Sequence, residues 1–235
     1  MDAAPRVAFV IPARNESGYI GGAVASILAQ TLGADQLEVI VAENGSRDDT
    51  AAVARAAIAK APTKVRGGLL ALDAAGIARA KNTGARAARA DVLIFLDADS
   101  RAAPDLAERV LGWVGRGYRA GSIRMIADSP DPVDRRFFQL IDWGKRLFGI
   151  HANMLFCDRR LFLASGGFDE TIRLAEDLEF LVRVERRGVR LCHVSDSWIA
   201  TSARRLHQGR FRLGVPAMFF RWLLAQLGIG RRWRY

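Results

Sequence analysis

Asp97 and Asp99, separated by one alanine, are spaced to share a cation. Residues two apart on an extended chain point to the same side, so both carboxylates can face one hard ion. Mg2+ and Mn2+ prefer oxygen donors and bridge one or two carboxylates to substrate phosphates. A cation so placed offsets charge on a departing diphosphate. Two other polar clusters share this setting, each following an apolar run: Pro12-Ala13-Arg14-Asn15-Glu16 and Glu43-Asn44-Gly45-Ser46. Each also has an ordinary reading, because Asn-Gly-Ser is turn chemistry and paired aspartates often end a strand in a solvated loop. Glu176-Asp177 is a further acidic pair. Acids favour the first turn of a helix, which is the plain reading of this pair.

The elements that must position these residues alternate. Val7-Ala8-Phe9-Val10-Ile11 is a continuous apolar run, the pattern of a strand buried on both faces. Ser17 can cap a following helix with apolar face Ile20, Val24, Ile27 and Leu28. A second buried strand runs from Leu37 to Ala42, and Asp48-Asp49-Thr50 opens an alanine-rich helix to about Lys60. A strand from Gly68 to Leu72, a helix over Ile77 to Arg89 and a strong strand from Asp91 to Leu96 follow. Strands alternating with helices predict a mostly parallel sheet covered on both faces. In such sheets ligands bind beyond the carboxyl ends of the strands, which is where the polar clusters fall. The second half is less regular, with helices expected over Pro104 to Gly115, Val133 to Phe148 and Glu176 to Arg187. Strands are expected over Tyr118 to Ile126 and Asn153 to Cys157.

The chain has 235 residues, half of them hydrophobic, enough for one sizeable core. No run of about 20 uncharged apolar residues suggests a membrane span, and the first residues lack the basic-then-apolar order of a secretory signal. A cytoplasmic protein is therefore expected. Cys157 and Cys192 lie in apolar stretches without metal-ligand spacing and read as reduced core residues. The net charge of +10 is unevenly placed, because eight arginines and no acid lie between Arg204 and Tyr235. A nearly balanced body with a basic, apolar tail points to an anionic lipid surface rather than to nucleic acid.

From about Val7 to Ser202 the sequence resembles the family 2 glycosyltransferases. Val10-Ile11-Pro12-Ala13-Arg14-Asn15-Glu16 is similar to that family's opening strand and donor loop. Glu43-Asn44-Gly45-Ser46-Arg47-Asp48-Asp49-Thr50 stands where the family has Asp-Asp-Gly-Ser-x-Asp-x-Thr. Ala80-Lys81-Asn82-Thr83-Gly84 resembles its Ala-Arg-Asn-x-Gly segment, Phe95-Leu96-Asp97-Ala98-Asp99 its metal motif, and Gly166-Gly167-Phe168-Asp169-Glu170 with Glu176-Asp177 its acceptor-side block. The five motifs occur in the family's order. The charge pattern sets off residues 204–235 as a basic amphipathic segment; the resemblance implies an α/β GT-A fold in one catalytic domain, residues 1–203. It implies inverting transfer of a sugar from a nucleotide-diphosphate donor to an acceptor hydroxyl, with Mg2+ or Mn2+. Pro12, Arg14, Glu16, Glu43, Asn44, Lys81 and Asp97 would bind the nucleotide. Asp99 would ligate the metal, with Asp97 and His193 as further candidates. Asp177 would be the base, and Gly167, Phe168 and Glu176 would lie on the acceptor side. His151 and Asn153 would border the donor sugar or serve as polar loop residues.

Two departures from the pattern are informative. Glu43-Asn44 replaces the usual aspartate pair, so uridine is not the automatic choice of base. The Gln-x-x-Arg-Trp motif of processive synthases is absent, since His207-Gln208-Gly209-Arg210-Phe211 lacks its tryptophan and spacing. Transfer of a single sugar is expected. Arg204-Arg205 can meet the diphosphate or begin the basic tail. Within that tail, Leu213 to Gly230 is apolar with Arg221 as its one charge, flanked by Arg210, Arg212, Arg231, Arg232 and Arg234. The tail would hold the enzyme peripherally on the inner face of the cell membrane, beside a lipid-linked or membrane-associated acceptor, or else pack on the domain. A non-catalytic nucleotide-binding or membrane-docking relative is opposed by the intact Asp97, Asp99 and Asp177. A nucleotidyltransferase would want a glycine- and arginine-rich phosphate loop, which Arg14 with Gly18, Gly21 and Gly22 does not form. A nicotinamide enzyme would want Gly-x-Gly-x-x-Gly after the first strand.

Overall fold

The computed structural model describes residues 4–62, 65–73, 75–172 and 174–207. The expected membrane anchor, Leu213 to Gly230, lies outside the described residues.

Strand β1 (Val7–Ala13) sits between β2 (Leu37–Glu43) and β4 (Val92–Phe95), with β3 (Arg66–Ala71) at the edge beyond β2. These four strands are parallel. All seven residues of β1 and of β2 are buried, as continuous apolar runs require in a sheet covered on both sides. The two-residue repeat of the strand divides the core. Val7, Phe9 and Ile11 pack with Ile20, Val24 and Ile27 of α1 (Ile20–Leu28) and with Ala54 of α2 (Thr50–Ile58). Ala8 and Val10 face the other way, toward Ala78 and Ala85 of α3 (Ile77–Ala87). Small residues are needed on that face. A Cβ on Gly84 would come within 2.4 Å of Val10 Cγ1, so any side chain there would push α3 off β1.

The sheet continues through β5 (Ser100–Ala102), β6 (Ala120–Asp128), β7 (Leu155–Asp158) and β8 (Leu191–Ser202). The full order is β3-β2-β1-β4-β7-β6-β8-β5. Strand β7 runs antiparallel to β4 and β6, β8 is parallel to β6, and β5 is antiparallel to β8. The result is a mixed, mostly parallel sheet in one α/β domain, as expected. The β5–β8 ladder pairs Ser100 with Thr201 and Ala102 with Ile199. Strand β5 escapes a periodicity reading because Ser100-Arg101-Ala102 is neither an apolar run nor long enough to alternate. The remaining helices are α4 (Leu106–Gly115), α5 (Pro132–Phe148), α6 (Arg159–Ala164), α7 (Glu176–Glu185) and the single turn α8 (Arg204–His207). Cys157 and Cys192 are buried free thiols, and burial pushes both above the usual thiol range.

One local expectation fails. Ser17 does not cap α1, which begins at Ile20 without a side-chain cap. The Ser17 N–H instead donates to Asp48 Oδ2 at 3.1 Å, and the Glu16 carbonyl accepts from the N–H groups of Tyr19 and Ile20. A contact with the next loop displaces the local cap. Helix α5 follows the ordinary rules at both ends. The Asp131 side chain accepts from Val133 N, Pro132 holds the first turn, and Gly149 ends the helix at φ 61°.

Candidate active site

Because β2, β1 and β4 are adjacent and parallel, their carboxyl ends place residues 14–16, 43–46 and 97–99 along one edge of the sheet. The first two loops are stitched together. Asn15, at φ 54°, donates through its N–H to Ser46 Oγ (3.0 Å) and accepts from Arg47 N at Oδ1 (2.8 Å). Glu16 N donates to Thr50 Oγ1 at 2.7 Å. A Glu43 carboxylate oxygen accepts from Ser46 N, and Asn44 Oδ1 accepts from Gly76 N at 3.4 Å. Glu43 and Asn44 are buried, Pro12 is buried, and Arg14 is exposed. Asp48 is held at about 2, chiefly by the Thr50 hydroxyl and, against the small cost of its own desolvation, by Ser17.

At the end of β4, Asp97 is partly exposed and Asp99 is 9 % exposed. The β5–β8 ladder brings the end of β8 alongside, where Ser202 N donates to the Asp99 carbonyl at 3.1 Å. Two residues later, the Arg204 guanidinium lies 3.1 Å from Asp99 Oδ2, pairs with Glu16 Oε1, and stacks 4.4 Å over the Tyr19 ring. Glu16 Oε2, the second oxygen of that carboxylate, is buried and has no hydrogen-bond partner among the described residues. Two carboxylates thus share one guanidinium. Among the described residues no three acidic, histidine or cysteine side chains are gathered to hold a metal. The protein offers Asp97 and Asp99, and this donor set fits a hard cation that completes its shell with substrate phosphates.

The other half of the site is drier. Glu176 and Asp177 open α7 and are 6 % and 7 % exposed. Lys81, on α3, reaches Glu176 Oε1 at 2.7 Å. Asn153 N donates to Asp177 Oδ2, a contact made with Asn153 at φ 60°. Burial, then the neighbouring Glu176 carboxylate, push the Asp177 carboxyl above the usual range, against the opposing charges of Lys81 and Lys145. Burial pulls Lys81 down, but Glu176, Asp97 and Asp177 together hold it above the usual lysine range. Lys145, on α5, donates to the Ala152 carbonyl at 3.0 Å, and burial brings it down to about 8 despite Asp177 and Asp142.

The loop before α7 is fixed from α3. Asn82 Nδ2 donates to the Phe168 carbonyl and to Glu170 Oε1, each at 2.9 Å, while its Oδ1 accepts from Phe168 N at 2.9 Å. Gly167 has φ 70°, and a Cβ there would lie 2.6 Å from Asn82 Oδ1, so glycine is required twice over. The Phe168 ring packs against Phe95, Phe162 and Phe180 at 5.0–5.4 Å. Gly167 and Phe168, expected toward the acceptor, are therefore buried and set the position of the loop.

His193 occupies a separate network. Its Nδ1 lies 2.9 Å from Ser122 Oγ and its Nε2 3.1 Å from Asp142 Oδ1, with His151 Nδ1 3.2 Å from the same serine. Both ring nitrogens of His193 are engaged there. Burial lowers both imidazoles, which favours their neutral forms. Lys145, Arg146, His151 and His193 line a pocket of about 280 Å3 beside this network. Sequence reasoning does not find Asp142, Lys145 or Ser122. Asp134, Asp142 and Lys145 at helical spacing within an otherwise apolar and basic segment are the signal that α5 turns a polar side inward.

The family model described as glycosyl transferase family 2 matches residues 8–165. The uncharacterized glycosyltransferase EpsJ of Bacillus subtilis (strain 168) is 28 % identical over 204 residues, 80 % of this chain and 58 % of its own length. Chondroitin synthase of Escherichia coli is 37 % identical over 190 residues, 78 % of this chain and 27 % of its own. This chain thus spans between about a quarter and three fifths of those relatives. Among solved structures, S. aureus TarS 1-349 in complex with UDP-GlcNAc has a TM-score of 0.71 at 17 % identity, covering 88 % of this chain and 60 % of that one. The mannosyltransferase PcManGT from Pyrobaculum calidifontis, in complex with GDP-Man and Mn2+, has a TM-score of 0.68 at 23 % identity, covering 93 % and 65 %. These two likenesses establish the shared fold.

Proposed function

Because the chain belongs to glycosyl transferase family 2, we propose that it moves a single sugar from a nucleotide-diphosphate donor onto an acceptor hydroxyl with inversion, using Asp177 as base. The observation that carries this reading is the position of Lys81. Its buried ammonium lies 2.7 Å from Glu176 Oε1, beside Asp177 in the chain, and the charge of Asp97 also acts on it. This supports reading the donor-side and base-side carboxylates as parts of one site.

In the proposed reaction the acceptor oxygen attacks the anomeric carbon, its proton passes to Asp177, and the bond from that carbon to the diphosphate breaks. A buried carboxyl raised above its usual range is a stronger proton acceptor once ionised. Glu176 and Lys81 fix its surroundings, and the Asn153 N–H orients one of its oxygens. Asp97 and Asp99 would hold Mg2+ or Mn2+, which when bound stabilises charge on the leaving diphosphate. Arg204 would exchange Asp99 for the diphosphate as the donor arrives. Glu43 and Asn44 would read the base, with Pro12, Arg14 and Glu16 shaping the pocket. The fold neighbours hold UDP-GlcNAc and GDP-Man, and a Glu-Asn pair suits either a uracil or a guanine edge. The acceptor we propose is a lipid-linked or membrane-associated glycan, with residues 204–235 as the basic segment that reaches the membrane. No helix among the described residues is long and apolar enough to cross one.

The test is a screen of UDP- and GDP-sugars for released nucleotide diphosphate, with Mn2+, with Mg2+ and with excess chelator. Turnover of one donor class that disappears with chelator is expected. Full activity in chelator would overturn the metal assignment, and no turnover of any donor would overturn the activity.

A further inference from the structure

Helix α5 turns an unusual surface to solvent. Seven large hydrophobic side chains are exposed among the described residues, and four of them lie on this helix: Val133 (51 %), Leu140 (63 %), Trp143 (59 %) and Leu147 (59 %). At 3.6 residues per turn these four fall within about 80° of one another, a single stripe along a helix of 17 residues. The charges of α5 are sorted across it. Its two acids face inward: Asp134 is 4 % exposed and accepts from Ser129 Oγ with His207 Nε2 2.9 Å away, and Asp142 is 9 % exposed and holds His193. Lys145 is also inside. The charges left outside are Arg135, Arg136 and Arg146, all exposed. Asp131, the acid just before the helix, caps Val133 N.

We infer that this face docks on an anionic lipid surface. A helix lying in the headgroup region wants leucine and tryptophan on one side with arginine and no acid nearby; here Arg136 falls within the stripe and Arg135 and Arg146 lie to one side of it. Arginine stems cover apolar surface while their heads stay in the polar layer. A second copy of the chain related by a two-fold axis would set arginine against arginine, whereas anionic headgroups complement all three. Docking by α5 does not depend on residues 208–235. At the last described residue, His207 meets Asp134 on the inner side of the helix's first turn, so the exposed stripe is a surface of α5 itself. The inner side of α5 carries Lys145, which feels Asp177. The base would therefore lie behind α5, on the side away from the lipid plane. That last step rests on the function proposed for Asp177, but the docking does not.

The experiment is co-sedimentation of the full chain with phosphatidylcholine vesicles and with vesicles containing about 30 mol % phosphatidylglycerol. Two full-length variants are compared, Leu140→Ser/Trp143→Ser/Leu147→Ser and Arg135→Gln/Arg136→Gln/Arg146→Gln. The wild type is expected to favour the anionic vesicles, and each variant to lose roughly tenfold or more in partitioning at low salt. Their melting temperatures should stay within about 3 °C of wild type, as exposed positions allow. Variants that bind like the wild type would place all docking in residues 208–235 and overturn the inference. So would equal binding to both vesicle types, or no binding. A wild-type dimer in lipid-free solution that the serine variant dissociates would make the face a subunit interface. A large fall in melting temperature of the serine variant would show that the chain's own remainder covers it. Failure here leaves the nucleotide-sugar screen untouched, and failure of that screen leaves the vesicle result standing.

Discussion

Asp48 and Asp177 are the same side chain in opposite surroundings. Asp48 lies in the donor-side loops, open to solvent, held at about 2 by the Thr50 hydroxyl and the Ser17 N–H. Asp177 lies at the start of α7, buried beside another carboxylate, and is pushed above its usual range. The donor edge uses carboxylates as ordered acceptors that join loops, fixing the backbone that a nucleotide would meet. The base side uses burial and crowding to make a carboxylate that binds a proton more readily. One half of the site holds shape, and the other stores basicity.

The largest test of that contrast is Asp177→Asn. It should lower kcat by roughly 10²- to 10⁴-fold, the range for loss of a general base, with donor affinity by calorimetry unchanged within a few-fold. A variant with near-normal turnover would return Asp177 to an ordinary role at a helix start. Asp99→Ala should instead act on binding. Donor affinity in Mn2+ should fall by about 10- to 100-fold, at least the loss seen when a metal ligand's supporting partner is removed. In chelator the variant and wild type should bind alike, and an unchanged Mn2+ response would remove Asp99 from the metal site.

Lys145→Met sharpens the base side. The base must be ionised to work, so activity should be lost as pH falls through the raised Asp177 value. Lys145 opposes that rise. Removing its charge should move the acid limb of the kcat/KM profile to higher pH, several-fold lowering activity on that side. A limb that stays in place would separate Lys145 from the base. The smallest effect is expected from Asp48→Asn. A carboxyl with a depressed folded-state value contributes stability above its unfolded value of 3.8 and loses it as pH falls toward about 2. The variant should melt a few degrees lower at neutral pH, about 2–4 °C, and the gap should close in acid. A gap independent of pH would assign the loss to shape rather than charge.

The two halves also differ in how far the sequence discloses them. The donor edge is legible because its parts are local: continuous apolar runs make β1, β2 and β4, and the polar residues follow each run directly. Even there, the Ser17 cap is lost to Asp48, 31 residues away, because capping rules look only at neighbours. On the base side Asp177 is reachable through the family motif, but its environment is not. Lys81 and Glu176 are 95 residues apart and Arg204 and Glu16 are 188 apart. No period or spacing joins such pairs. Helix α5 reads as amphipathic, yet which side is inner follows only from partners such as His193, 51 residues from Asp142.

The ladder between β5 and β8 also puts a clock on the site. Ser100–Ala102 finds its partners in Ile199–Thr201, about a hundred residues later. At roughly 5–20 residues per second of synthesis, those partners appear about 5–20 s after Asp99. Over that interval the donor loops can close on β1 and β2, which are already made, while Asp99 and Glu16 still lack Arg204. The contact of Arg204 with Asp99 and Glu16 thus forms well after the loops that carry both carboxylates are made.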